Sequence, residues 1–266
     1  MNKPAISPLP HRDVWIAHPQ GRIFTRIWNG AADKAPIVLF HDSLGCVDLW
    51  RDFPARLAAA TGRGVIAYDR LGFGRSDARQ DKLQLDFVAD EAERFFPLIR
   101  ERLGLQRFVA LGHSVGGGMA VHCAARYAKD CSALITVAAQ AHAADETRQG
   151  IRVAKEEFKN ADQFERLSRY HGQKAKWVLD AWTETWLDPA FGNWSLDDVL
   201  PRVTSPVLAV HGDHDEYGSA RHPAMIAERC GGPSRIVMMQ DTGHVPHRER
   251  PDELAALVAG FIAQAD

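Results

Sequence analysis

The sequence predicts an α/β protein built on a doubly wound, mostly parallel sheet. Short apolar runs alternate with helix-patterned segments along most of the chain. The runs are nearly continuous in apolar residues rather than alternating, as strands covered by helices on both faces are. At 266 residues, with 45% hydrophobic and 25% charged, the chain can bury a large core without disulfides or metal.

The elements follow in order. DVWIAHP (13–19) and RIFTRIW (22–28) alternate apolar with polar residues and read as an antiparallel hairpin. PIVLFHD (36–42), GVIAYDR (64–70), RFVALGHS (107–114), SALITVAAQ (132–140), PVLAVHGD (206–213) and SRIVMMQ (234–240) read as strands. Helical patterns lie between and after them at 48–60, 86–103, 115–128, 222–230 and 251–264. The last opens on Pro251, Asp252 and Glu253, a preset first-turn backbone followed by acids that suit the helix dipole.

One stretch breaks the rhythm. From Ala141 to about Val203 there is no strand pattern, and four of the seven tryptophans fall there: Trp177, Trp182, Trp186 and Trp194. Residues 141–203 read as a helical lid inserted after the sixth strand, over a core made of 1–140 and 204–266. Trp182 and Trp186 share one helix face, where they either line an apolar acyl pocket or form the lid's own core. AKEEFKNADQFER (154–166) reads as a charged amphipathic helix with a solvated face.

Charge narrows the class of partner. A formal net charge of −2 without any run of Lys and Arg gives no reason to expect nucleic acid or an anionic membrane. No stretch approaches the ~18 apolar residues of a membrane span. The start, MNKPAISPLPHRDVW, lacks the apolar run of a secretory leader. Cys46, Cys123, Cys131 and Cys230 show no C-x-x-C spacing and suit buried thiols in a reducing, cytoplasmic setting.

The chemistry starts at VALGHSVGGGMAV (109–121), where a strand turns sharply into a helix around Ser114. Gly112-His113-Ser114-Val115-Gly116 has the G-x-S-x-G form of a nucleophile elbow. Glycines on both sides clear space for a strained turn that holds the hydroxyl out. A phosphate-binding loop is the bland alternative, but neither G-x-G-x-x-G nor Walker spacing is present.

A serine nucleophile needs a base oriented by an acid. His244 follows the last strand, and Asp213, Asp215 and Glu216 follow the strand before it. Ser114, Asp215, His244 gives the order Ser-acid-His, each at the carboxyl end of its own strand. A metal site made of His211, Asp213, His214 and Asp215 with His244 and His247 is the competing reading, but its spacing matches neither H-E-x-x-H nor another zinc pattern.

Five blocks carry a resemblance: HDSLG (41–45), YDRLGFGRSD (68–77), GHSVGG (112–117), HGDHD (211–215) and GHVPHRERP (243–251). In them the chain resembles α/β-hydrolase-fold enzymes of the cofactor-independent esterase and lactonase type. The likeness covers almost everything outside the lid. It implies Ser114 as nucleophile, His244 rather than His247 as base, and Asp215 rather than Asp213 as acid. His247 is then a supporting or surface side chain, and His113 a packing residue with a satisfied ring. The oxyanion hole falls to the backbone N–H groups of Val115 and Ser43. Asp42 departs from the family pattern, which has glycine there, so its carboxylate is expected to point away from the oxyanion. Asp69 and Arg70 are expected to brace neighbouring loops.

The resemblance implies ester or lactone hydrolysis on a small acyl substrate, with no cofactor and no metal. Carbon–carbon hydrolysis of a vinylogous diketone is the runner-up. Val245 stands against it, where such relatives tend to carry tryptophan. A hydrolase-like binding protein that keeps the fold without turnover is the third reading.

Overall fold

The structure, a computed structural model, describes residues 10–265. The first nine residues, part of the stretch on which the leader expectation rests, lie outside the described residues.

Eight strands form one sheet: β1 (His11–His18), β2 (Gly21–Trp28), β3 (Ile37–Phe40), β4 (Val65–Tyr68), β5 (Phe108–His113), β6 (Cys131–Val137), β7 (Val207–Gly212) and β8 (Ser234–Met239). Their order is β1-β2-β4-β3-β5-β6-β7-β8. The hairpin β1–β2 and the β2–β4 pair are antiparallel, and every other neighbour is parallel. The central strands are wholly buried because successive residues feed two different cores. Ile37 and Leu39 pack with Phe53, Leu57, Leu254 and Val258 on one face. Val38 and Phe40 pack with Phe96, Ile99, Val115 and Met119 on the other. A strand with helices on both sides has no polar face to show, which is why its sequence does not alternate.

Edges behave differently. The first half of β8 is exposed, with Ile236 42% accessible, because that strand closes the sheet and only its end runs under cover.

The helices are α1 (Phe53–Thr61), α2 (Phe87–Asp90), α3 (Phe96–Leu103), α4 (Val115–Arg126), α5 (Asp145–Glu157), α6 (Ala161–His171), α7 (Ala175–Leu187), α8 (Arg221–Arg229), α9 (Pro246–Glu249) and α10 (Pro251–Ala265). Three segments that read as single helices are broken. The 48–60 segment is a 3-10 turn, Val47–Trp50, then α1, divided at Arg51 with its positive φ of 53°. The 86–103 segment passes from α2 through a π turn, Glu91–Phe95, into α3. Pro97 has no N–H to return to the preceding turn, so the ladder is re-registered just ahead of it. The 154–166 segment is the end of α5 and the start of α6. Asn160 separates them and accepts the Asp162 N–H as an N-cap.

Helices α5, α6 and α7 lie between β6 and β7 and are tied to the loops after β3 and β4. His171 accepts the Gly74 N–H at Nδ1 (2.9 Å) and meets the Leu44 carbonyl at Nε2 (3.0 Å). A carbonyl only accepts, so the proton sits on Nε2 and the ring is neutral. Lys174 donates to the Gly74 carbonyl (2.7 Å) and Trp177 Nε1 to that of Asp81 (3.1 Å). Among the described residues no helix is long and apolar enough to cross a membrane.

Candidate active site

The sheet order sets the location. After β3 the chain steps outward to β4, then returns across β3 to β5, so the loops after β3 and β5 part in opposite directions. Such a switch point opens a crevice at the carboxyl ends of the strands. Ser43 follows β3, Ser114 follows β5, Asp215 follows β7 and His244 follows β8.

Ser114 takes φ 55° and ψ −128°, a conformation rare for any residue with a side chain. Its N–H donates to the Val137 carbonyl (2.9 Å), and its own carbonyl accepts from Gly117 (2.8 Å). The flanking glycines are a steric requirement. A Cβ on Gly112 would sit 2.0 Å from the Gly116 oxygen, and one on Gly116 would sit 2.2 Å from the Phe40 oxygen. Both obstacles are backbone, so neither can move aside.

His244 and Asp215 are in contact. Nδ1 of His244 lies 2.9 Å from each Asp215 carboxylate oxygen. Oδ1 also accepts the Tyr217 N–H at 2.8 Å. His211 approaches the other oxygen, Nε2 to Oδ2 3.1 Å, but its ring is not aligned for a hydrogen bond. Burial of Asp215 would push its carboxyl up, yet the hydrogen bond and charge from His244 outweigh this and hold it below the ordinary range. Burial likewise works to lower His244, but the Asp215 hydrogen bond and the charges of Asp215, Glu216 and Asp42 carry it above an ordinary histidine.

Ser114 and His244 line one cavity of about 240 Å³, together with Ser43, Trp182 and Trp186. In this resting arrangement the Ser114 hydroxyl donates to Gln140 Oε1 at 3.3 Å. Val115 is the first residue of α4, so its N–H has no acceptor within the helix.

The rival residues have other work. Asp213 faces solvent and accepts the Thr242 N–H (3.2 Å), bracing the loop before His244. His247 is buried rather than at the surface, its ring 4.5 Å from that of Trp50 and tilted 47° to it, and burial holds its ring neutral. His113 does more than pack: its Nε2 bonds the His244 carbonyl at 2.7 Å. Asp213 and His214 are exposed while His211 and Asp215 turn inward, and among the described residues no three His, Cys, Asp or Glu side chains converge as a metal set.

Asp42 turns its carboxylate back over Gly45, filling the space a Cβ there would need, and reaches within 3.7 Å of His113 Nδ1. Its carbonyl accepts from Arg70 Nη2 (2.7 Å), and Asp69 accepts the Val47 and Arg75 amides (both 2.6 Å). These two residues therefore tie down the loop that carries Asp42 and Ser43. The tryptophans divide: Trp177 packs the helical segment against Phe73, Trp194 stacks on Phe191 within the segment, and Trp182 and Trp186 line the cavity, Trp186 buried against Phe191 and Trp194.

Sequence reasoning missed Gln140, Thr147, Ile151 and Tyr217, all of which line the cavity. Only Gln140 had a local signal. It is the polar end of the run SALITVAAQ, and a buried glutamine closing an apolar strand needs a partner.

The chain is 34% identical over 98 residues to a proline iminopeptidase of Lactobacillus delbrueckii subsp. lactis, a match covering 37% of this chain and 33% of that protein. The match thus spans about one third of that relative's length. To the human protein named serine hydrolase BPHL it is 28% identical over 208 residues, 74% of this chain and 69% of that one. The structure superposes on the enol-lactonase of Burkholderia xenovorans LB400 with a TM-score of 0.71 at 21% identity, covering 94% of this chain and 100% of the other. A family model described as alpha/beta hydrolase fold matches residues 35–251. The chain belongs to the α/β hydrolase fold family.

Proposed function

We propose that the protein is a serine hydrolase that cleaves a carboxylic ester or lactone through an acyl-enzyme. One observation carries this reading: the His244 imidazole, clamped by Asp215 at 2.9 Å, shares a cavity with Ser114 on its strained turn. When substrate enters, the Ser114 hydroxyl turns from Gln140 to His244 Nε2, since catalytic hydrogen bonds are often incomplete before binding. Oγ attacks the carbonyl carbon as its proton passes to His244, and the tetrahedral oxyanion forms against the Val115 and Ser43 amides. His244 then gives the proton to the leaving oxygen as the carbon–oxygen bond breaks. Water, deprotonated by the same imidazole, releases the acid.

Helices α5 to α7, with 141–203 as the lid, set which acyl and alcohol groups enter. Val245 beside the base supports esters over carbon–carbon substrates. The unbridged cysteines, three of them buried, fit a cytoplasmic setting.

The test is a panel of p-nitrophenyl esters, small lactones, prolyl arylamides and vinylogous diketones against the enzyme and Ser114→Ala. Ester or lactone turnover, reduced by about 10⁴ or more in the variant, supports the proposal. Faster cleavage of the arylamides or diketones would replace it.

A further inference from the structure

The charges around the cavity do not balance. Asp42 and Glu216 both line it, and among its lining residues there is no Lys or Arg. Glu216 is exposed to solvent, and among the described residues its hydrogen bond is through Oε2, which takes the His244 N–H at 3.3 Å. Asp42 has still less. Arg70 holds the Asp42 main-chain carbonyl and attracts its carboxylate by charge without a hydrogen bond to it, and the nearest imidazole is His113, 3.7 Å away. That ring spends its Nε2 proton on the His244 carbonyl, and burial lowers its pKa to about 4, so Nδ1 has no proton to offer. The Asp42 carboxylate, 24% exposed, therefore has no hydrogen-bond donor among the described residues.

The two carboxylates leave this cavity negative, which opposes the negative charge that builds on the oxyanion in the transition state. A positive charge on the substrate offsets this. Trp182 and Tyr217 stand edge to face at 6.0 Å on the same cavity, and Tyr217 lies 4.9 Å from the His244 ring. Aromatic faces with nearby carboxylates are the surroundings that hold an ammonium group.

A second feature points to a ligand with polar ends of both kinds. Gln140 is 2% exposed, lines the cavity, and its amide nitrogen has no acceptor among the described residues. It stands beside Ser114, ready to donate to an oxygen of the acyl group.

We propose that the substrate of this site carries a positively charged nitrogen, held by Asp42 and Glu216 against Trp182 and Tyr217. The inference rests on the hydrolase reading above and deepens it by naming the substrate class. Burial, followed by the charges of Glu216, Glu157, Asp215 and Asp42, pushes the Tyr217 hydroxyl up to about 12, which agrees with a negative cavity.

The experiment uses pairs of equal shape that differ in charge. On the acyl side these are the p-nitrophenyl esters of 4-(trimethylammonio)butyrate and 5,5-dimethylhexanoate. On the alcohol side they are the butyrate esters of choline and 3,3-dimethylbutanol. The cationic member of at least one pair should be favoured by about tenfold or more in kcat/KM. The preference should shrink in high salt and fall toward unity in Asp42→Asn/Glu216→Gln. Binding is read separately, by tryptophan fluorescence of Ser114→Ala titrated with choline or 3,3-dimethylbutanol. Selective choline binding without hydrolysis of any ester upholds this inference and overturns the ester reading. Hydrolysis with no cationic preference in either pair overturns the inference and leaves the ester reading intact. A preference that survives in a folded Asp42→Asn/Glu216→Gln protein also overturns it.

Discussion

His113 Nε2 donates to the backbone carbonyl of His244 across 2.7 Å. This bond links the strand that leads into Ser114 to the loop that carries His244, 131 residues later in the chain. His244 is thus held on two sides, its ring by Asp215 and its backbone by His113 and by Glu216, which accepts its N–H.

Replacing His113 with Phe keeps the bulk and removes the donor. The orphaned carbonyl should cost about 1–3 kcal/mol of stability. If the bond positions His244, kcat on a neutral ester should fall while KM changes little. Thermal melts and steady-state kinetics check the two effects.

The two aspartates of the β7 loop should separate cleanly. Asp215→Asn leaves the shape but loses the charge that fixes the imidazole, and should lower kcat by about 10⁴. Asp213→Asn alters a solvent-facing brace and should leave kcat within a few-fold of the parent protein. Parallel kinetics on the two variants decide it.

The raised His244 sets an acid limb. Hydrolysis requires the neutral ring, so the rate should climb with pH through a value above an ordinary histidine's, and fall as pH drops below it. Removing Glu216's charge by Glu216→Gln should move that limb to lower pH. A pH–rate profile of kcat/KM reads the shift directly.

Stability should depend on pH through other histidines. Burial lowers His113, His122 and His222 to about 4, so the unfolded chain takes up their protons first as pH falls. A depressed histidine gives stability that is fully present above its unfolded value near 6.5 and is lost as pH falls toward the folded value. Asp69, pushed up to about 6 by burial, and the raised Asp90, Glu91 and His244 work the other way, but burial also depresses His41, His171, His211 and His247, so the depressed histidines outnumber them. The melting temperature should therefore fall between pH 7 and about pH 5.

Two glycine substitutions should give opposite signs. Gly116→Ala places a methyl 2.2 Å from the Phe40 carbonyl and should leave little folded protein. Gly260→Ala, inside α10 with nothing within 4 Å, should stabilise by about 0.4–1 kcal/mol. Thermal melts of both variants against the parent show it.

Much of the architecture was legible because the physics is local. A strand covered on both faces is written as an apolar run, and the elbow at Ser114 is written in the small residues its turn demands. Helix breaks were partly legible: Pro97 and Asn160 each carry a reason in their own chemistry. The cavity was not. Gln140, Thr147 and Tyr217 gain meaning only when β6, α5 and the β7 loop meet, and nothing in their neighbours records that meeting. The choice between a supporting and a surface role for His247 was open for the same reason: its burial comes from Trp50 and Phe53, some two hundred residues away. Asp42 was visible as a departure, but whether its carboxylate finds a donor in His113 depends on that ring's tautomer, which the bond to His244 reveals.

The central claim is that Ser114 is the group His244 and Asp215 activate, and covalent capture reads this without any choice of substrate. The enzyme is treated with a fluorophosphonate and the modified peptide is located by mass spectrometry. The account predicts one adduct, on Ser114, formed rapidly in the parent protein and abolished or greatly slowed in Ser114→Ala and His244→Ala. An unlabelled, correctly folded parent protein, or an adduct at any other residue, would contradict it.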